Sequence, residues 1–281
     1  QLGKLLQGSG HIEQAKVAFE QARQHDLLRF RAPLEMNEII RSKSDAEGVY
    51  FVDAESALTA QANQGLIGND LMLEHLHPNI SGFFEIADEF YNALEQSNVF
   101  GDFTNLVSRF NARQEMPVFD AEIYWGEAKI AGLMADYPFT SSPQKPKFKA
   151  QTTWSDKLGF AAYKKQVDWL KIASETLKRS KGKDARTHIK SAKLLSDALP
   201  YNEGFAHRAG MILINNKRWQ EAPRYLKRTI NINPENTNAM LALAHAYSIT
   251  KKFELTKYWL EQVLIIAPNN TTALTVLSQL T

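Results

Sequence analysis

The residues of this sequence best suited to chemistry lie in "LEHLHPNISGFFEIADEFYNAL", residues 73–94. Glu74, His75 and His77 are gathered there immediately ahead of a helix-like run. A carboxylate three residues before a histidine can hold one imidazole nitrogen and leave the other free to take a proton. That is the His–carboxylate half of a hydrolase triad, with His77 as general base and Glu74 as its orienting carboxylate. Two other readings of the same residues stand beside it. His75 and His77 with Glu74 or Asp70 offer ligand types that suit a metal, although no second ligand cluster follows and the pattern HExxH is absent. His77 can also be a capping or packing histidine with no chemistry, while His75 is expected to face solvent. The chain has no cysteine, which excludes disulfides, thiolate nucleophiles and Cys-ligated metals. The stretch "GSGH" at 8–11 reads as a turn between helices and not as a nucleophile elbow, because no strand precedes it.

The elements that would position these side chains can be read around them. Pro78 favours a turn, Asn79 and Ser81 are good helix-cap residues, and a helix is expected over 80–96. Its buried stripe is expected to be Phe83, Ile86, Ala87 and Phe90. Upstream, residues 32–47 place Leu34, Ile39 and Ile40 on one helical face, and "GVYFVDA" (48–54) reads as a short buried strand. Residues 55–64 suit a short helix and 65–70 a Gly-punctuated loop. One strand cannot make a sheet alone. Its partners lie elsewhere, and an unpaired edge is a route to a homodimer.

The run carboxylate-x-x-His-Pro, then Gly and a helix containing Ile-Ala, resembles the last motif of the SGNH (GDSL-type) esterase family. Glu74 stands where that family usually has Asp, while His77, Pro78, Gly82, Ile86 and Ala87 fit. The strand "VYFVDA", the loop "GLIGNDLMLEH" and the segment "RFRAPLEMNEIIR" (29–41) look like bacterial SGNH-type proteins that carry inserted helical repeats. The similarity covers residues 26–96, and more loosely runs to about 140. It implies a small α/β remnant of an SGNH-like domain, an ester substrate, and a nucleophilic serine with oxyanion-hole Gly and Asn upstream of Gln1. The sequence contains no Gly-Asp-Ser-like motif and no Gly-x-Asn block. Acyl transfer needs nucleophile, base and oxyanion donors together, so the chain alone is expected to be inactive.

The rest of the sequence is dominated by an internal period. Pro200, Pro234 and Pro268 stand 34 residues apart, and Gly210/Ala244, Leu213/Tyr247 and Leu226/Leu260 recur at the same interval. Small residues where helices cross, with bulky ones behind them, are what packed helix pairs need. This resembles the tetratricopeptide repeat (TPR) family, with repeats over about 203–236 and 237–270. A degenerate hairpin precedes them over Trp169–Lys178 and Ala185–Leu199. Leu2, Gly3, Leu6, Gly10, Ala15, Phe19 and Ala22 fall at the same consensus spacings, so the chain opens inside a repeat and an earlier one is expected. Phe19, Trp219, Phe253 and Trp259 are expected in the repeat cores. Residues 97–115 and 116–137 suggest helices, with Trp125, Ile130 and Met134 as an apolar stripe, and 136–154 reads as a linker.

The expected fold class is therefore mostly α, with TPR hairpins flanking the α/β remnant. Its parts are the end of a repeat (1–26), the SGNH-like portion (27–96), connecting helices and linker (97–155) and a TPR array (156–281). A formal charge of +2 gives no reason to expect nucleic acid as partner, and no run reaches the roughly 18 apolar residues of a membrane span. The basic stretch Lys145–Lys183 reads as a solvated face, with an acidic peptide or lipid headgroup as the lesser option. No cofactor and no metal is expected, and a peptide or protein is the partner expected on the TPR surface. Cytoplasm and cell envelope both fit. Two functions follow: part of a TPR-containing SGNH-type ester hydrolase or acyltransferase, or a non-enzymatic TPR interaction scaffold.

Overall fold

The computed structural model of the chain describes residues 1–27, 31–44, 46–103 and 106–280. Arg29 and Phe30, which open the 29–41 segment, lie outside them. The described residues are mostly helical and divide into two compact units, each with its own packing. The first comprises Gln1–Met116 and Gly126–Lys149, the second Pro117–Trp125 and Ala150–Thr281.

In the first unit α1 (Leu2–Gly8) and α2 (Ile12–Gln24) pack together across a short turn. Gly3 makes this possible, since a Cβ there would come within 2.8 Å of the Phe19 ring. Then come α3 (Leu34–Arg41), α4 (Ala54–Gln61) and the long α5 (Ile80–Ser97), with α4 packed on α5. The short α6 (Arg109–Gln114) follows, so the helix expected over 97–115 forms only in its last third. The end of α7 (Asp120–Leu133) completes the unit.

The strand expected over 48–54 does not form. Among the described residues the only β pairing is one isolated antiparallel bridge, Met72 to Pro78. A strand is held by ladder hydrogen bonds to a neighbour. Residues 50–53 find none, and Val49 and Tyr50 are exposed rather than buried. The α/β character read from the sequence is thus not displayed by these residues. On α3, likewise, Ile39 and Ile40 face solvent.

The second unit holds the first turns of α7 and then α8 (Trp154–Tyr163), α9 (Trp169–Ser180) and α10 (Ala185–Ala198). These lead into α11 (Glu203–Asn215), α12 (Ala222–Ile232), α13 (Thr237–Ile249), α14 (Phe253–Ile266) and α15 (Thr271–Ser278). From α9 onward each helix packs on the next, and one hydrophobic cluster runs from Phe119 to Ala273. The 34-residue spacing is visible in the packing. Gly210 on α11 lets α12 approach so closely that a Cβ would come within 2.5 Å of the Leu226 side chain. Ala244 and Leu260 occupy the corresponding places on α13 and α14, both buried. The turn residues Lys217 and Lys251, also 34 apart, share a left-handed backbone with φ of 59° and 57°. Trp219 packs edge-on against His245, at 5.3 Å between ring centroids. Phe253, expected in the core, is instead exposed. It is the first residue of α14. Among the described residues no helix is long and apolar enough to cross a membrane.

Candidate functional site

The loop before α5 is closed on itself before it presents any side chain. The Asp70 carboxylate accepts from the Asn63 amide at 2.7 Å and the Gly68 amide at 3.2 Å. Its pKa falls, chiefly through the Asn63 bond, against the opposing effect of burial. Leu71 and Met72 amides donate to the Gly68 carbonyl, the Leu73 amide donates to the His77 carbonyl at 2.8 Å, and the Asn79 amide donates to the Leu71 carbonyl at 2.9 Å. Residues 71–79 are thereby drawn into a narrow loop whose tip is residues 74–77.

Asn79 welds that loop to the helix. Its side-chain oxygen accepts from the Ser81 and Gly82 amides, capping α5, while its Nδ2 donates to the carbonyls of Asn69 and Asp70. Gly82 is required by the closeness of the two. A Cβ there would lie 2.2 Å from the Leu71 carbonyl oxygen.

Glu74 occupies the middle of the tip and is buried, with 2% of its side chain exposed. Its Oε1 accepts from the His77 amide at 2.9 Å and Oε2 from the Leu76 amide at 3.0 Å. The same oxygens meet two imidazoles: Oε1 contacts Nδ1 of His77, and Oε2 lies 2.7 Å from Nδ1 of His75. Burial alone would raise the Glu74 pKa. The bonds from the His77 ring and from the two amides outweigh it and hold the carboxyl below its usual value. An ionised carboxylate only accepts, so Nδ1 of each facing imidazole carries the hydrogen.

His77 is thus anchored through Nδ1, and its side chain is 54% exposed. A histidine held through Nδ1 by a carboxylate has its other ring nitrogen available for proton transfer. Sequence and structure agree in bringing Glu74 and His77 together. His75 differs from expectation. It turns inward to the same carboxylate and packs against Phe139 at 5.0 Å, with only 26% of its side chain exposed.

The metal reading loses its ligands. Asp70 is engaged by backbone amides, and no group of three or more His, Asp or Glu side chains among the described residues is placed to hold an ion. Ser9, in "GSGH", points its hydroxyl back to the Leu5 and Leu6 carbonyls at 3.0 and 3.1 Å, as a helix C-terminal residue does. Among the described residues no hydroxyl hydrogen bonds to His77.

The buried face of α5 also departs from the sequence reading. Phe83 and Phe90 are exposed, while Gly82, Phe84 and Glu85 are buried. That face is covered from α6. Arg109 and Arg113 both pair with Glu85, Arg109 also with Asp88, and both guanidinium groups lie over the Phe84 ring at 5.2 and 5.1 Å. Arg113 further donates to the Ser81 hydroxyl at 2.9 Å. Glu85 is thus buried with two cationic partners, while Phe83 points to solvent. The sequence signal was the Arg-x-x-x-Arg spacing at 109–113, one helical turn apart.

Compared with protein-family models the chain matches none, and no curated protein matches it either.

Proposed function

We propose that this chain is part of an SGNH-type ester hydrolase or acyltransferase, in which His77 is the general base and Glu74 holds it. The observation that carries the reading is the buried, ionised Glu74 gripping Nδ1 of His77, whose side chain is 54% exposed. A serine supplied outside these residues would lose its proton to Nε2 as it attacks an ester carbonyl. His77 would then return that proton to the departing alkoxide. Glu74 would stabilise the imidazolium between the two steps. The exposed Val49, Tyr50, Phe83 and Phe90 are consistent with this, because they are apolar side chains that the rest of an α/β domain would cover.

The test uses the longest native polypeptide containing this chain, assayed with p-nitrophenyl acetate. His77→Ala should lower kcat by about 10³-fold or more, as loss of a triad member does. Full activity in that variant, or a polypeptide with no serine on a strand–turn–helix, would sink the proposal.

A second reading rests on the 34-residue recurrence of helix pairs in the second unit: a TPR scaffold that binds a peptide or protein. In that case Glu74 is a structural acceptor for the loop amides, and His77→Ala leaves partner binding unaltered. Self-association through the uncovered first unit belongs to the same reading.

A further inference from the structure

Away from the Glu74–His77 loop, the second unit contains a cavity of about 290 Å³ that neither reading above uses. It is walled by the first turns of α7, α8 and α10 and by the last turn of α9. Three cationic side chains line it: Arg179, Lys183 and Lys190. Each is held or left differently. Arg179 lies over the Trp154 ring at 5.0 Å, with Glu175 3.6 Å from its Nε. Lys190 donates to the Val118 carbonyl at 2.9 Å and has no carboxylate partner among the described residues. Lys183 has no partner among them at all.

Ser155 adds an independent sign. It lines the same cavity and only 8% of its surface is exposed, yet its hydroxyl has no hydrogen-bond partner among the described residues. The hydroxyl is not sealed from solvent, so it is free to donate to an acceptor held in the cavity. Two carboxylates also line the cavity, Asp120 and Asp184. Asp184 is committed to the Thr187 amide at 3.1 Å and the Thr187 hydroxyl at 2.6 Å. Its pKa is lowered, chiefly by the Thr187 hydroxyl, and it remains an anion. With Glu175 on Arg179 the three cations meet three carboxylates, so what suits the cavity to an anion is the unpaired Lys183 ammonium and Lys190, which faces a carbonyl and no carboxylate.

We propose that this cavity binds a small phosphate-bearing anion, with Arg179, Lys183 and Lys190 holding the phosphoryl oxygens and the Ser155 hydroxyl donating to one of them. A phosphoryl group has three acceptor oxygens and nearly two negative charges, which suits donors converging from separate walls better than the planar, singly charged carboxylate does. The Trp154 ring would flank the ligand's body and keep the Arg179 guanidinium in place. Free phosphate, a soluble phosphate monoester and a lipid phosphate headgroup share this chemistry.

The experiment is titration calorimetry of the full chain at low salt, with inorganic phosphate, glycerol 3-phosphate and phosphatidic acid vesicles as separate probes and acetate as the control. Saturable one-to-one binding of glycerol 3-phosphate, with acetate inert, is the expected result. Binding of inorganic phosphate alone would assign the site to the free ion, and binding of the vesicles alone to a lipid surface. Lys183→Gln, which breaks no contact within the protein, should weaken binding by about tenfold, and Ser155→Ala should weaken it measurably without moving the thermal midpoint. No saturable heat with any of the three, or unchanged affinity in both variants, overturns the proposal.

Discussion

Glu74 is one carboxylate serving four donors, two amides and two imidazoles, and its protonation state governs the loop. Because its folded pKa lies below the ordinary 4.5, the unfolded chain binds the proton more readily. The linked stability is therefore present above that ordinary value and is lost as the pH falls through the lower folded one. At neutral pH Glu74→Gln should cost about 1–3 kcal/mol, since an amide nitrogen would face donors where an oxygen stood. The gap from the parent chain in thermal midpoint should close as the pH drops below 4.5. A gap that persists unchanged into acid would show that the charge is not what holds the loop. The Glu74–His77 pair was legible because three residues of spacing on a tight loop leave few ways to place the two side chains. The inward turn of His75 was not, because Phe139, which packs on it, lies 64 residues further along the chain (139 minus 75).

Helix α5 shows where periodicity stops being a guide. Its N-terminus was legible to the residue, since Pro78, Asn79 and Ser81 act locally and the cap depends on nothing distant. The face it buries carries Glu85, whose partners Arg109 and Arg113 lie 24 and 28 residues further along the chain. The strand over 48–54 failed for a related reason. Its composition was right, but strand formation depends on a neighbour that local sequence cannot supply. The closest helix–loop approach gives a direct test. Gly82→Ala would push a methyl group into the Leu71 carbonyl, and should destabilise the first unit by about 1–3 kcal/mol in chemical denaturation. A neutral substitution would mean that the loop can withdraw from the helix, and that His77 is less firmly placed than its hydrogen bonds imply.

Across the whole chain the two units differ in how they are held together. The second has a continuous core in which α9 to α15 each cover the next, so its stability is shared along the stack. The first buries few large apolar side chains among its described residues, chiefly Leu71 and Phe84, and leaves Ile39, Ile40, Tyr50, Phe83 and Phe90 in solvent. Urea should therefore unfold the chain in two steps, the first unit before the second. Hydrogen exchange should show the amides of Tyr50, Phe51 and Val52 fully exchanged while those of α13 remain protected. A single transition with uniform protection would contradict this division. The second unit was the more legible of the two because a repeat states each of its contacts more than once. Gly210 with Leu226, and Ala244 with Leu260, are the same instruction written 34 residues apart. That repetition makes chain length a free variable. A hairpin added or removed in whole steps meets the surface its predecessor met, so the stack can be lengthened without any new contact having to be invented. The first unit has no such freedom, because each of its contacts occurs only once.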